Sequence, residues 1–197
     1  LSRETAAPQG GIIEKDPDTG DLTGVLHDQA QMDVFNKLFS DDLSAMTKQE
    51  RIALCAGATE SYAKLGFVFA ADALVEPQTL GMYQDTLAAG KLKIRIYTMN
   101  VDDKAEPLID CRIRTGFGSD RLRIGPIKIF ADGGMSNRTA AVSTPYLCPP
   151  NDTGLKIQSR EELIDKVKRY DALGYQIAIH AQGDVGISDT LDAFEAA

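Results

Sequence analysis

Lys128 lies inside an apolar run, Gly125-Pro126-Ile127-Lys128-Ile129-Phe130-Ala131-Asp132-Gly133. The β-branched and aromatic residues, closed by Asp-Gly-Gly, predict a buried strand followed by a turn. An ammonium group in a buried strand is costly unless it is paired or coordinated. Burial also lowers the pKa of an amine, and the neutral amine is reactive. Such an amine can take up carbon dioxide and become a carbamate, an anionic oxygen ligand for metal ions. The competing reading is structural, with Lys128 at a sheet edge, snorkelling to water or paired with Asp132.

A second buried strand is predicted in Tyr175-Gln176-Ile177-Ala178-Ile179-His180, followed by Ala181-Gln182-Gly183-Asp184. By the strand period of two, Ile177 and Ile179 point to one face, and Ala178 and His180 to the other. A strand-end His is either a satisfied structural residue or a metal ligand. In parallel α/β proteins, chemistry collects at the C-terminal strand ends, and imidazole is a common ligand.

These two strands belong to a repeated strand-then-helix pattern, which implies parallel βαβ units. Residues 1–26 are Gly- and Pro-rich and read as irregular or hairpin-like. Asp28 is expected to cap a helix with Met32, Val34, Phe35, Leu38 and Phe39 on its inner side. Thr47 and Glu50 form a capping box for the next helix, which Gly66 ends. Phe67-Val68-Phe69-Ala70-Ala71 reads as a strand leading to Asp72. Pro77 opens a helix that Gly90 closes. Residues 92–99 form a strand, and a helix is expected over 108–114. After the Lys128 strand, Ser159 and Glu162 cap a helix ended by Gly174, and Asp184 is the expected cap of the last.

The connection from Gly133 to Gly154 is long, and loops above about 15 residues are commonly functional. Arg138 on it could bind a substrate carboxylate or carbonyl. It could equally pair with Asp132 or a backbone carbonyl and shape the loop. Met135 and Tyr146 are expected to pack the loop, and Asp132 to orient a ligand.

The Lys128 run with Gly134, then Arg138-Thr139-Ala140 and Pro145-Tyr146, then Ala178 to Asp184, together resemble the YtcJ-like branch of the metal-dependent amidohydrolases (the amidohydrolase 3 group). Pro8-Gln9-Gly10-Gly11-Ile12-Ile13-Glu14-Lys15-Asp16, with Thr19-Gly20 and Thr23 to Leu26 after it, is similar to the segment preceding the middle of the barrel in that family. The resemblance implies an α/β fold, a (β/α)8 TIM-type barrel, with a site for divalent metal, zinc, at the C-terminal strand ends. In such enzymes the first strand carries His-x-His, the fourth a carboxylated Lys, the fifth and sixth one His each, and the eighth an Asp. Lys128 matches the fourth-strand Lys and His180 the fifth-strand His. Nothing matches the rest, since His27 has no His two positions away. The resemblance therefore implies an internal fragment. Residues 67–197 would form roughly strands two to five of a half barrel, and 1–66 an irregular and helical segment before them.

The implied activity is hydrolysis of an amide, formamide or cyclic-amide C–N bond in a small molecule by metal-activated water, with Lys128 and His180 as ligands. The general base would be the eighth-strand Asp, so this piece alone is expected to be inactive. The alternative is a non-catalytic α/β binding or regulatory module that keeps the framework and lacks the site.

Composition narrows the setting. The 197 residues carry a net charge of −8, which argues against a nucleic-acid backbone as partner. A complete barrel usually needs about 250 residues. No apolar run of about 18 residues exists, so no membrane span is expected. Cys55, Cys111 and Cys148 are far apart and read as reduced thiols of a cytoplasmic protein. Asn137-Arg138-Thr139 and Asn151-Asp152-Thr153 match the glycosylation pattern by chance. Half a barrel would expose sheet edges and an apolar face, so a homo-oligomer is expected.

Overall fold

The Gly-rich opening folds as a hairpin. β1 (Gly11–Lys15) pairs antiparallel with β2 (Leu22–Asp28), Ile12 opposite His27. The Asp16 carboxylate closes the turn by accepting the Asp18 and Thr19 N–H groups at 2.9 and 2.8 Å. Gly20 supplies the left-handed backbone there, at φ 72°. His27 stands 3.5 Å from the Glu14 carboxylate.

The computed structural model describes residues 1–147 and 151–197. The thiol expected at Cys148 and the side chain of Phe39 lie outside what is described. The chain divides into two compact units, one made of 39–129 with 169–178, the other of 1–38, 130–168 and 179–197. Its main sheet has four strands in the order β3 (Phe69–Val75), β4 (Arg95–Val101), β5 (Leu122–Phe130), β6 (Ile177–His180). β3 and β4 run parallel, as do β4 and β5.

In the first unit the helices follow their sequence signals. α2 (Lys48–Lys64) begins with the expected capping box, Thr47 and Glu50 bonding each other's backbone N–H. Gly66 ends it at φ 89°. α3 (Pro77–Ala88) has Pro77 in its first turn, where the missing N–H costs nothing. Ile94 and Ile96 turn towards the helices and join Leu43, Cys55, Met82, Leu92 and Leu122 in one apolar core. A smaller cluster holds Val75, Leu80, Leu108 and Ile124.

Four expectations change. The strand expected at 67–71 begins at Phe69, so Asp72 sits inside β3, where its carboxylate accepts the Tyr83 hydroxyl at 2.7 Å. Burial and that carboxylate push the Tyr83 phenol well above its ordinary pKa. The helix expected at 108–114 is a 3-10 turn, Asp102–Lys104, followed by α4 (Glu106–Asp110). The helix expected after Asp28 is α1 (Gln29–Ala45), but Asp28 is the last residue of β2 at φ 47°. Phe35 and Leu38, expected inward, are 54% and 61% exposed. Apolar spacing alone did not fix which face of α1 is covered; among its described side chains Ala30 and Leu43 are buried.

In the second unit, α5 (Arg160–Ala172) starts at a reciprocal Ser159–Glu162 cap, with bonds of 2.7 and 3.2 Å. Leu163 and Val167 are its buried anchors. α6 (Asp184–Glu195) closes the unit. Its N-cap is Gly183, so Asp184 is the first helical residue and not the cap.

Candidate functional site

Lys128 is placed by β5, between Ile127 and Ile129, both fully buried, and opposite Val101 of β4. The residue is 9% exposed. Burial holds its amine below the ordinary lysine pKa. A depressed pKa raises the neutral fraction, which is the form that reacts with carbon dioxide.

His180, Asp132 and Arg138 belong to the other unit. His180 ends β6, and its backbone carbonyl accepts the Ala131 N–H at 2.8 Å. This ladder bond sets the ring beside the chain leaving β5. Its Nε2 lies 3.1 Å from the Gly133 carbonyl oxygen. A carbonyl only accepts, so this contact is a hydrogen bond when Nε2 carries the proton. Nδ1 then keeps its lone pair for a ligand. The Phe130 ring packs 5.5 Å away, tilted by 41°.

Asp132 is fully buried. Its carboxylate accepts three backbone N–H groups: Gln182 at 2.9 Å on Oδ1, and Ala141 at 2.9 Å and Gly183 at 2.7 Å on Oδ2. The last of these is the N-cap of α6, where helix amides favour negative charge. The carboxylate fits because the surrounding backbone comes unusually near. A Cβ on residue 183 would meet the Ala141 oxygen at 1.8 Å, and one on residue 186 the Asp132 Oδ2 at 2.6 Å. Asp132 Oδ1 is 3.9 Å from His180 Nε2, beyond hydrogen-bond length. Asp132 therefore orders the backbone that carries Gly133, and Gly133 in turn holds His180.

Arg138 is exposed and sits at φ 59°, in the left-handed region that few non-Gly residues adopt. Its N–H donates to the Met135 carbonyl at 3.0 Å. Buried Thr139 pins the next position by accepting the Gly134 N–H on Oγ1 at 3.0 Å. Tyr146 donates its hydroxyl to the Ala140 carbonyl at 3.0 Å and touches the Met135 sulfur at 3.3 Å, so both pack the loop as expected.

Two loop fasteners were not singled out by sequence. The Gln182 Oε1 accepts the Met135 N–H at 2.6 Å, and Asp184 accepts the Ser143 N–H at 2.9 Å and the Ser143 hydroxyl. These bonds to Ser143 hold the Asp184 carboxyl below its usual range. Polar side chains 41 to 47 residues apart carry no local signal of pairing. Among the described residues no group of three or more His, Cys, Asp or Glu is placed to hold a metal ion.

The amidohydrolase family model matches residues 1–197. The chain belongs to the amidohydrolase family. Within it the chain falls in the YtcJ-like branch: it is 28% identical over 203 residues to YtcJ of Bacillus subtilis (strain 168), assigned as an amidohydrolase, which covers 99% of this chain and 36% of that protein. It is 30% identical to LONG AFTER FAR-RED 3 of Arabidopsis thaliana, over 97% of this chain and 34% of that one. The N-substituted formamide deformylase of Arthrobacter pascens is 26% identical over the whole chain and 36% of its own length. This amidohydrolase chain thus spans about a third of the curated relatives it matches. The crystal structure of a metal-dependent hydrolase from Pyrococcus horikoshii superposes with TM-score 0.72 at 27% identity, covering 92% of this chain and 36% of that one. One from Pyrococcus furiosus, at 23% identity and TM-score 0.71, shares the fold.

Proposed function

We propose that this amidohydrolase chain is the central part of a metal-dependent enzyme that hydrolyses a C–N bond in a small amide, formamide or cyclic amide. The observation that carries this reading is Lys128, a buried amine with a depressed pKa in the middle of β5. Burial disfavours the ammonium form, and a carbamate-forming lysine needs the neutral amine. The formamide deformylase among the relatives supports the bond type.

The donor chemistry fits a divalent ion, zinc first, in part. Lys128 as its carbamate would offer oxygen, and His180 would offer Nδ1, since Nε2 is engaged with Gly133. Zinc takes about four ligands, so the others must come from residues of a longer polypeptide. A divalent ion there would lower the pKa of water and polarise the scissile carbonyl. The chain's own residues do the positioning. Gly133 fixes the His180 ring, and Asp132 fixes Gly133 and the start of α6. Arg138 is held by its turn at the loop surface, where a guanidinium can receive a substrate carboxylate or carbonyl, or brace the loop.

The protein is read as cytoplasmic and homo-oligomeric, with four strands of a (β/α)8 barrel. The exposed Phe67, Val68 and Phe69 beside edge strand β3 support assembly. No helix among the described residues is long and apolar enough to cross a membrane.

Lys128→Ala and Lys128→Arg in the full-length protein test the reading. Both are expected to lose hydrolysis, and short carboxylates such as acetate or propionate to restore part of it in Lys128→Ala only. Arginine stays charged and cannot carboxylate. Near-normal turnover by Lys128→Arg would make Lys128 structural.

A further inference from the structure

The register of the parallel sheet changes step just before Lys128. Tyr97 of β4 is level with Arg123 of β5, Thr98 with Ile124, Asn100 with Ile127 and Val101 with Lys128. Between the Thr98 and Asn100 pairs β4 has one residue, Met99, and β5 has two, Gly125 and Pro126. β5 thus carries one extra residue, an insertion of the β-bulge kind, which re-aims side chains and recurs next to active sites. Side chains alternate with period two, so one extra residue moves everything after it to the opposite face.

The packing shows the reversal. Leu122 and Ile124 lie in the two apolar clusters under the helices. Uninterrupted alternation would put Lys128, four residues after Ile124, on that same face. β4 keeps its alternation. Ile94 and Ile96 face the helices, and Asn100 is level with Val75, which packs with Leu80, Leu108 and Ile124. Ile127, level with Asn100, therefore takes the helix face, and Lys128, level with Val101, takes the other.

The insertion is held from several sides. A Cβ on residue 125 would meet the Thr98 carbonyl oxygen at 2.4 Å, so only glycine fits there without a shift. Pro126 has no N–H to leave unpaired, which suits a residue outside the ladder. Thr115 Oγ1 donates to the Gly125 carbonyl at 3.0 Å and accepts the Gln176 N–H at 3.0 Å. The Gln176 carbonyl in turn accepts the Ile127 N–H at 2.9 Å. One hydroxyl thus ties both ends of the insertion, directly to Gly125 and through Gln176 to Ile127. We propose that Thr115 is a positioning residue: by fixing the Gly125–Pro126 insertion it turns Lys128 away from the helices and towards the hydrolytic site. The chemistry rests on the hydrolytic reading of Lys128, and the geometry rests on the register alone.

Hydrogen exchange and kinetics of the full-length protein test it. Thr115→Val keeps the shape and loses both hydrogen bonds, while Thr115→Ser keeps the hydroxyl. In Thr115→Val, amide exchange at Ile127 and Lys128 should speed about tenfold relative to Ile96, which lies before the insertion. Turnover should fall about tenfold with KM little changed. The Lys128 carbamate resonance, read by NMR with isotope-labelled bicarbonate, should weaken in step. Thr115→Ser should restore exchange, turnover and resonance. Gly125→Ala pushes on the Thr98 carbonyl without touching a hydroxyl. It should act as Thr115→Val does, and it takes that variant's place if Thr115→Val does not fold. Unchanged exchange at Lys128 in these variants would overturn the proposal, because Thr115 would then stabilise only its own turn. Turnover that stays lost in Thr115→Ser would overturn it too. Wild type without a carbamate resonance would sink the hydrolytic reading alone, with exchange at Lys128 still deciding the positioning.

Discussion

The buried Asp132 carboxylate and the Gly183 amide meet at 2.7 Å, joining the exit of β5 to the first turn of α6. Asp132 also receives the Ala141 and Gln182 amides. Removing the carboxylate leaves three interior N–H groups without a partner. Each such loss costs about 1–3 kcal/mol. Asp132→Ala is therefore expected to cost about 3–5 kcal/mol in denaturant unfolding, at the low end of that sum because water can reach part of the cavity. Asp132→Asn should also be costly, since its amide can present a second N–H to those donors. A change below about 1 kcal/mol for Asp132→Ala would mean that the loop holds without the carboxylate.

Gly183 and Gly186 are where that packing has no slack. A methyl on residue 183 would overlap the Ala141 carbonyl, which is backbone and cannot rotate away. Gly183→Ala should cost about 1–3 kcal/mol by overpacking. Gly186→Ala pushes on the Asp132 carboxylate itself and should also displace the Ala141, Gln182 and Gly183 amides, visible as shifts in their NMR resonances. Unchanged resonances in Gly186→Ala would contradict the close approach.

The Asp184–Ser143 contact predicts a pH dependence with a definite sign. Hydrogen bonds from Ser143 lower the folded-state pKa of Asp184. A depressed carboxylate contributes stability above its unfolded pKa of about 3.9 and loses it as pH falls through the folded value. Amide exchange at Ser143, followed from pH 6 downward, should stay slow through about pH 4 and accelerate only below it. In Asp184→Asn that acceleration should vanish. Exchange that is fast at every pH would mean that the contact does not form.

Much of this was legible in the sequence where the signals are local. The Thr47–Glu50 and Ser159–Glu162 boxes, Pro77, and the helix-ending glycines at 66, 90 and 174 act within a turn, and all appear where expected. The strand around Lys128 was legible because its apolar run is long and ends in a turn motif. The failures share a cause. Asp184 has a capping residue's chemistry, but Ser143, 41 residues away, takes its carboxylate. Asp72 looked like a strand end, but its partner is Tyr83 on α3. Phe35 and Leu38 have helical spacing, yet the partner surface decides exposure. The Asp132 nest was only half legible, since three of its four parts are backbone groups and the sequence names no acceptor for a backbone N–H.

Edge strand β3 offers a test of assembly. Phe67, Val68 and Phe69 are 51%, 69% and 50% exposed. Unpaired edges with apolar side chains recruit other strands, and a charge at the edge blocks this. Light scattering coupled to size exclusion should find an oligomer at micromolar concentration, and Val68→Lys should shift it towards monomer. A monodisperse wild-type monomer would count against the assembly.

Lys128 separates stability from function. Its pKa is lowered by burial, so the charged amine is penalised in the folded state. For a lysine the sign runs opposite to that of Asp184: the penalty is present below the folded pKa and disappears as pH rises past the unfolded value of about 10.4. Lys128→Met keeps the length and removes the charge. In metal-free protein at pH 7 it should be more stable than wild type by about 1 kcal/mol, a gain typical of replacing a functional polar group in a core. By pH 10 the gap should narrow, because the folded-state amine deprotonates first and the unfolded one is approaching its own pKa. The same variant should lose hydrolysis in the full-length enzyme. A gap that does not change with pH would mean that burial of the charge is not what makes Lys128 costly. A wild type more stable than Lys128→Met at pH 7 would mean that the amine is held by a strong structural partner.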